Sequence, residues 1–344
     1  MEAATHIIIE KPGCYDRLKI EDYRMEDPDC DSIQVKIMAC GVNFADICVR
    51  LGIYSAAKNM KSVCPGLEFA GVVKKTGENT RYFKPGDKVF GVCRFGGYST
   101  VINIPENQLW HLPNNWSFAE GATFPVAYLT AFHAMYNVGN IHQGETALVH
   151  SAAGGVGMAL LQLLKANGNT SVGIVGNADK TAKAQEAGAS YIIDKSSVPL
   201  WSEADRLQPD GYDIIFDANG ISTLKQSYAR LKPGGRLIVY GFASMLPYSG
   251  RLNKIKLIWD WLRTPRFSPF RLTTENRSVC GLNLIYLFDK VSFFRDNMES
   301  LLAKERMGEI SVIPVTEFPF SQVAEAHRYM GSGKSVGKIA LITT

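Results

Sequence analysis

The spacing of apolar and polar residues changes about a third of the way along the chain. Over residues 33–38, isoleucine and valine alternate with mostly polar side chains, which is the period-two pattern of a half-buried strand. Short apolar runs separated by Pro-Gly and Gly-Asp turns follow at 66–73, 84–91 and 97–102. This series predicts a small, irregular β-barrel within residues 1–123.

Beyond about residue 124, strand-like and helix-like segments alternate. Strands are predicted at 146–150, 171–176, 191–193, 212–217 and 236–240, and helices at 155–167, 179–187 and 222–231. Gly188 follows the second helix as a C-cap. Alternation at this spacing is typical of a doubly wound parallel sheet.

The tail has two predicted helices, at 290–306 and around 323–327, and a closing strand at 338–342. We expect it to return to the first domain. The predicted organisation is therefore a β-rich domain of residues 1–123 and 289–344, and a dinucleotide-binding α/β domain of residues 124–288.

Composition excludes several classes of protein. The chain has 344 residues, 46% of them hydrophobic, and a formal net charge of +4, which favours two globular domains and gives no basic patch for nucleic acid. No apolar run approaches the ~18 residues of a membrane span, and residues 1–13 do not resemble a signal peptide, so we expect a cytoplasmic protein. The seven cysteines include no C-x-x-C pair and are expected to be free thiols.

The stretch "HSAAGGVGMALLQLLKANG" begins at His150, between a predicted strand and a predicted helix. It has the register of a dinucleotide-binding turn, with Ala152 in place of the first glycine and Gly154 and Gly157 in the other two positions. Gly154 would let the backbone approach a pyrophosphate, which the N–H groups of the helix start would bind. The alternative is a tight strand–helix turn with no ligand.

The next strand end indicates which nucleotide is preferred. NAD-selective sites place an acid there to accept from the ribose 2′-OH, but Gly176 and Asn177 carry none, and Lys180 follows one turn later. A 2′-phosphate would meet a cation, so the sequence favours NADPH. Asp179 is better explained as a helix N-cap. The alternative for Lys180 is a solvated surface lysine.

Several motifs occur together in the order of one known family. They are "ACGVNFADICVRLGIY", "PGLEFAGVV", "FKPGDKVFG", "AAGGVG" and "LKPGGRLIVYG". With these motifs, the chain resembles the medium-chain dehydrogenase/reductase superfamily, and more narrowly its zinc-free quinone oxidoreductase group. The resemblance extends over about residues 5 to 343. "HSAAGGVGMALLQL" and "NRSVCGLNLIYLFDK" are most similar to the synaptic vesicle membrane protein (vesicle amine transport-like) branch. The resemblance implies a GroES-like β-rich barrel joined to a Rossmann domain.

The resemblance also implies the functional residues. Asn43 and Tyr54 would line the substrate pocket beside the nicotinamide, where Asn43 would donate to a carbonyl oxygen and Tyr54 would donate to the same oxygen or stack beside the ring. Otherwise they would be a turn residue and a packing residue. Cofactor contacts are implied for Thr130, Ala153, Gly154, Gly155, Val156, Gly176, Lys180, Lys195, Asn219, Gly241, Phe242, Ala243, Cys280, Gly281, Leu282 and Lys338. Lys195 stands where relatives often have a tyrosine near the 2′-phosphate.

No catalytic metal is expected. Zinc relatives place a cysteine and a histidine where this chain has Asn43 and Leu67, so only Glu68 matches a residue able to ligate. A catalytic zinc needs three protein ligands. Hydride transfer to a quinone or an α,β-unsaturated carbonyl remains, because the charge there spreads onto an oxygen that needs only hydrogen-bond donors.

Residues 251–271 form a segment that the family pattern does not require. Apolar residues, including Trp259 and Trp261, are crowded there among basic ones, as in a helix that lies in a membrane interface. The alternative is a helix that covers the substrate cleft or a subunit contact, with its aromatic rings buried.

Two hypotheses of function follow. The first is a zinc-independent NADPH-dependent oxidoreductase acting on a small conjugated carbonyl or quinone, with no nucleic-acid partner and, as in relatives, a homodimer. The second is a membrane-associated or lipid-binding factor that keeps the reductase fold with little turnover and contacts membranes peripherally through 251–271.

Overall fold

The computed structural model describes residues 1–245 and 252–343. Its strands are β1 (Glu2–Ile8), β2 (Lys19–Met25), β3 (Ser32–Val42), β4 (Glu68–Thr76), β5 (Lys88–Val92), β6 (Val101–Pro105), β7 (Leu109–His111), β8 (Thr146–Val149), β9 (Thr170–Val175), β10 (Tyr191–Asp194), β11 (Tyr212–Asp217), β12 (Leu231–Val239), β13 (Ser278–Gly281), β14 (Val315–Pro319) and β15 (Lys338–Ile342). Its α-helices are α1 (Phe44–Leu51), α2 (Phe118–Phe132), α3 (Gly155–Ala166), α4 (Thr181–Glu186), α5 (Leu200–Leu207), α6 (Leu224–Ala229), α7 (Lys254–Arg263), α8 (Pro269–Glu275), α9 (Val291–Arg306) and α10 (Val323–Gly331).

The first sheet is built from both ends of the chain. Its order is β14-β15-β3-β4-β5-β7, and β6 also pairs with β3. The tail strand β15 runs antiparallel to β3, with Ile339 opposite Val42 and Leu341 opposite Cys40. β1 and β2 form a separate antiparallel ribbon. The register between β15 and β3 brings Lys338 beside the end of β3, where α1 begins.

The second sheet is parallel, in the order β10-β9-β8-β11-β12-β13. All four residues of β8 are buried, because helices cover both faces of such a sheet. The chain proceeds in one direction from β8 to β10 and in the other from β11 to β13. The point of reversal lies between the carboxyl ends of β8 and β11, which is where open α/β sheets bind their ligands.

Helix α2 is the main element that the apolar pattern did not predict. Its first turn is a capping box: Ser117 Oγ accepts from Glu120 N, and the Glu120 carboxylate accepts from Ser117 N at 2.7 Å. The helix contacts β3, β4 and β15 on one side and α3 on the other. The expected domain boundary at residues 123 and 124 falls inside it. Because α2 packs against strands of the first sheet and also against α3, which follows β8 of the second sheet, it does not mark a boundary between the domains. The two domain ranges stay a prediction.

Candidate active site

The glycine turn joins β8 to α3 in a conformation that few residues tolerate. Ser151 has a φ of +54°, in the left-handed region, and Gly154 is the N-cap of α3. A Cβ at Gly157 would lie 2.3 Å from the carbonyl oxygen of Ser151, so only glycine allows the helix to approach the turn so closely. The first N–H groups of α3 have no intrahelical partner, and those of Val156 and Gly157, which follow the bridge between Gly154 and Gly337, are oriented to bind an anion.

The tail crosses directly over this turn. Gly337 N donates to Ala153 O at 2.8 Å, and Gly337 pairs with Gly154 in an isolated parallel bridge. A Cβ at Gly155 would lie 2.6 Å from Cδ of Lys338, so the Lys338 side chain rests on this glycine. The glycine turn is thereby in contact with the start of β15.

The Lys338 ammonium is buried against Asn43 and Glu68. Its Nζ donates to Asn43 Oδ1 at 2.6 Å, to Glu68 Oε1 at 2.7 Å and to Val42 O at 3.0 Å. All three of its hydrogens are thus bound inside the chain. The expected cofactor contact of Lys338 stays a prediction, and its ammonium is bound to Asn43, the residue expected to line the pocket.

Glu68 is held by three donors. Oε1 accepts from Asn43 Nδ2 at 2.9 Å as well as from Lys338, and Oε2 accepts from Val126 N at 2.7 Å. Val126 follows Pro125 inside α2, where its N–H turns to the carboxylate. In residues 1–245 and 252–343, no group of three or more His, Cys, Asp or Glu side chains is placed to hold a metal ion.

Asp46 organises the backbone around Asn43. Oδ1 accepts from Gly66 N at 2.9 Å, and Oδ2 accepts from Asn43 N at 2.8 Å and from the Tyr98 hydroxyl at 3.3 Å. Complete burial raises the pKa of Asp46 to about 6, although these backbone hydrogen bonds act in the opposite direction.

A buried histidine continues this chain of hydrogen bonds. Nε2 of His327, on α10, lies 3.2 Å from the Tyr98 hydroxyl. Burial, and then the charge of Arg50, lower the pKa of His327 to about 3, so the ring is neutral at physiological pH. Asn43 is therefore linked through Asp46 and Tyr98 to the C-terminal part of the chain.

Tyr54 is the second expected pocket residue, and it contacts a residue that the sequence did not single out. Its hydroxyl donates to Asn283 Oδ1 at 3.1 Å. Burial raises the pKa of Tyr54 well above that of a free tyrosine, so the hydroxyl stays protonated. Asn283 directly follows the predicted cofactor contact Leu282, and that adjacency was the available signal for it.

Thr130 is buried on α2 one turn beyond Val126. Its hydroxyl donates to Val126 O at 2.6 Å, while Val126 N binds Glu68. Thr130 thus shares a backbone partner with the Asn43–Glu68–Lys338 cluster, and its oxygen keeps acceptor capacity.

The end of β9 has open space and two lysines. A Cβ at Gly176 would meet no atom within 4 Å, and Asn177 Oδ1 is buried with no hydrogen-bond partner in the described part of the chain. Lys180 Nζ donates to Gly333 O at 2.6 Å and to Ser335 O at 2.8 Å. Burial, and then the charge of Lys195, lower the pKa of Lys180, so the two ammonium groups influence each other.

At the end of β11, Asn219 is tied to the glycine turn. Its Oδ1 accepts from Ser151 Oγ at 3.0 Å, and its backbone N donates to Asp217 Oδ1 at 2.8 Å. The buried Asp217 also binds Ser227 Oγ at 3.0 Å. Asn219 and the turn therefore form one edge of the cleft, as the shared direction of β8 and β11 requires.

The ends of β12 and β13 place the remaining predicted contacts along the same edge of the sheet. A Cβ at Gly241 would lie 2.8 Å from Ala218 O, and Ala243 N donates to that oxygen at 2.9 Å. Phe242 is partly exposed beside Gly220. Cys280 and Gly281 end β13, Leu282 N donates to Val239 O at 3.0 Å, and Val156 lies in the first turn of α3.

Helix α7 lies in the 251–271 segment, of which Arg251 is outside the described residues. Its aromatic rings are not buried within the chain, since Trp259 is 59% exposed and Trp261 65%, and the alternative of a subunit contact stays a prediction. Ile255, Ile258 and Leu262 are also exposed and share one helical face with Trp259. Among the described residues, no helix is long and apolar enough to cross a bilayer.

Known proteins are similar to this chain in both of its sheet-containing parts. The alcohol dehydrogenase GroES-like domain family matches residues 29–114, and the zinc-binding dehydrogenase family matches residues 155–291. The synaptic vesicle membrane protein VAT-1 homolog of Homo sapiens is 34% identical over 332 residues, which cover 96% of this chain and 84% of the relative. The chain belongs to the VAT-1 branch of the medium-chain dehydrogenase/reductase superfamily.

Solved structures match this fold over nearly the whole chain. The quinone oxidoreductase of Pseudomonas syringae pv. Tomato DC3000 has a TM-score of 0.86 at 26% identity, covering 99% of this chain and 100% of its own. Escherichia coli quinone oxidoreductase, complexed with NADPH, has a TM-score of 0.83 at 26% identity, covering 98% and 100%. The expected superfamily, its oxidoreductase class and the GroES-like and Rossmann architecture are confirmed.

Proposed function

We propose that this protein is a zinc-independent, NADPH-dependent reductase of quinones or α,β-unsaturated carbonyl compounds. One observation carries the proposal. The Lys338 side chain rests on Gly155 of the glycine turn and binds Asn43 at its other end. Asn43 therefore lies one lysine side chain away from the predicted dinucleotide site, close enough to serve a substrate beside the cofactor.

The residues at the sheet edge fit a dinucleotide. The N–H groups at the start of α3, beyond Gly154, would bind a pyrophosphate, because the helix dipole favours an anion there. Asn177 Oδ1, which is buried with no hydrogen-bond partner among residues 1–245 and 252–343, is suited to accept from a ribose hydroxyl at the end of β9. The similar E. coli enzyme is complexed with NADPH.

The preference for NADPH over NADH rests on charge at the end of β9. No carboxylate occupies Gly176 or Asn177, and Lys180 and Lys195 lie close to each other there. Two of the three Lys180 ammonium hydrogens bind backbone oxygens of residues 333 and 335, which leaves one for a phosphate. A 2′-phosphate would offset the repulsion between these lysines.

The pocket residues are suited to stabilise a growing negative charge. When bound, a reduced nicotinamide would supply hydride to a conjugated acceptor, whose oxygen would then gain negative charge. Asn43 Nδ2 has one partner in the described residues, Glu68, so its second hydrogen is available to that oxygen. The protonated Tyr54 hydroxyl is the second donor once its hydrogen turns from Asn283 Oδ1 to the substrate oxygen. Donors aimed at charge that develops in the transition state lower the barrier.

A substrate panel tests this proposal. The parent protein should oxidise NADPH with quinones and enones and leave saturated ketones untouched. Losing one donor typically costs about 10²–10³ in turnover, and less where the anion is delocalised. Asn43→Ala and Tyr54→Phe should therefore lower kcat while NADPH affinity stays within about twofold. Parent-level turnover in both variants would make these residues packing groups, and an inert parent that binds NADPH would end the reductase proposal.

A second candidate function is supported by α7: peripheral binding to an anionic lipid surface. The exposed face of Ile255, Ile258, Trp259 and Leu262 is bordered by the exposed cations Arg263 and Arg266. Apolar burial combined with basic flanks is how amphipathic helices bind acidic bilayers. The name of the VAT-1 relatives, synaptic vesicle membrane protein, agrees with this candidate.

Vesicle flotation separates this candidate from a subunit contact. The parent should float with phosphatidylserine-containing vesicles at low salt, and Ile258→Ser/Trp259→Ser should not. Met307→Ser removes an equally exposed apolar residue elsewhere and is the matched control. If the double variant instead turns a dimer into a monomer in light scattering, α7 is the interface of the predicted homodimer. Cytoplasmic localisation stays a prediction.

A further inference from the structure

The Asn43 side-chain amide is held by opposite charges at its two ends. Its oxygen accepts from the Lys338 ammonium at 2.6 Å, and its nitrogen donates to the Glu68 carboxylate at 2.9 Å. Turning the amide by 180° would place oxygen against carboxylate and N–H against ammonium. Only one orientation is therefore compatible with the two neighbours.

Both neighbours are buried and held by further contacts. Lys338 is 4% exposed, its stem rests on Gly155 and its ammonium also binds Val42 O. Glu68 is fully buried, and its second oxygen accepts from Val126 N. Space for this pair depends on Gly41, where a Cβ would lie 2.5 Å from Glu68 Oε1.

We infer that Lys338 and Glu68 are positioning residues for the reaction, acting through Asn43. This inference rests on the proposed role of Asn43 as a donor to the substrate oxygen. Glu68 takes one Nδ2 hydrogen and leaves the other directed away from the ion pair. Lys338 withdraws electron density through Oδ1, and hydrogen bonds in series strengthen one another, so the remaining N–H becomes a better donor.

The positive charge of Lys338 also changes the electrostatic potential around Asn43. It neutralises Glu68, which would otherwise oppose the negative charge that develops on a substrate oxygen near Asn43. The pair thus leaves the pocket with a donor and without a net negative charge beside it.

A double-mutant cycle tests whether Lys338 acts through Asn43. Lys338→Met should lower kcat with an enone about 10- to 100-fold, with the Kd for NADPH within about twofold of the parent. In the Asn43→Ala background the same change should have no further effect on kcat. Lys334→Met, an exposed lysine on the same tail, is the control and should match the parent. Additive losses, or a weakened Kd for NADPH with unchanged kcat, would overturn the inference.

An equilibrium measurement keeps the inference testable if the proposed reductase activity fails. In protein labelled with ¹⁵N-asparagine, the Asn43 side-chain resonance is the one missing from Asn43→Ala. We expect slow hydrogen exchange of this amide in the parent, and a shifted, fast-exchanging resonance in Lys338→Met. If Lys338→Met does not fold, Glu68→Gln/Lys338→Met, which carries no unpaired buried charge, replaces it. An unchanged Asn43 resonance in the folded variant would show that the ion pair does not position the amide.

Discussion

The Lys338 ammonium lies 2.7 Å from Oε1 of Glu68, and both side chains are almost fully buried. The two residues are 270 positions apart in sequence, and their contact joins β15 to β4. A buried ion pair of this kind is not by itself a large source of stability, because both charges must leave water. Removing either partner alone would leave an unpaired buried charge and would therefore lower the free energy of unfolding.

The first prediction concerns this pair. Lys338→Met leaves a buried carboxylate without its counterion and should lower the free energy of unfolding by about 3–5 kcal/mol. Glu68→Gln/Lys338→Met removes both charges and should cost much less. Urea unfolding of the two variants measures the difference. Equal losses in the single and double variants would mean that the pair interacts weakly.

The second prediction concerns cofactor choice. Lys180→Ala should weaken NADPH binding by about 1.5–3 kcal/mol, the net range of a hydrogen bond to a charged group, and leave NADH binding nearly unchanged. Titration calorimetry with both nucleotides measures this. Because Lys180 also binds the backbone at Gly333 and Ser335, Lys334→Ala serves as a control for disturbance of that loop. Equal losses for NADPH and NADH would remove Lys180 from the 2′-phosphate site.

The third prediction concerns metal. Asn43 and Leu67 replace two zinc ligands of relatives, and Glu68 is bound by Lys338 and Val126. Reduction of a conjugated acceptor should therefore survive exhaustive chelation, and elemental analysis should find no stoichiometric zinc. One zinc per chain, lost together with activity on chelation, would contradict this.

The fourth prediction concerns the pH dependence of stability and two buried titratable groups, His327 and Asp46, which both contact the Tyr98 hydroxyl. The folded pKa of His327, about 3, lies below its ordinary value of 6.5, so its contribution to stability is present above 6.5 and is lost as pH falls toward 3. The folded pKa of Asp46, about 6, lies above its ordinary 3.8, so its contribution is present below 3.8 and is lost as pH rises through 6. Between 3.8 and 6 the two slopes oppose each other.

Single variants should separate the slopes. His327→Gln should lose less stability than the parent when the pH falls from 6 to 4, and Asp46→Asn should lose more. Each titrating group changes the free energy of unfolding by at most about 1.4 kcal/mol per pH unit. Urea unfolding across this pH range measures the slopes. Parallel profiles for all three proteins would show that neither group titrates as its burial implies.

Local sequence signals predicted the parts of the fold that depend on near neighbours. The glycine turn ends at Gly154, the N-cap of α3, and Gly157 lies in the first turn of that helix, as the spacing indicated. Gly188 has the positive φ expected after a helix. Helix α2 was missed because it is apolar almost all round, with its proline inside, and such a helix lacks the amphipathic period.

The site was predictable only in its residue types. Asn43 and Tyr54 could be selected from motifs, but the partner of Lys338 could not, because a contact across 270 residues depends on the register between β15 and β3. Glu68 offered a signal, since a buried charge requires a partner, yet the sequence did not say which cation would supply it. The exposure of α7 was equally a tertiary property.

The most direct test of the central claim is the fate of the hydride. The protein is incubated with NADPH deuterated at C4 and with an enone, and the product is examined by NMR. The proposed function predicts deuterium on the β-carbon of a saturated ketone, at a rate lowered by Asn43→Ala. Deuterium on the carbonyl carbon of an allylic alcohol, or no labelled product from protein that binds NADPH, would contradict it.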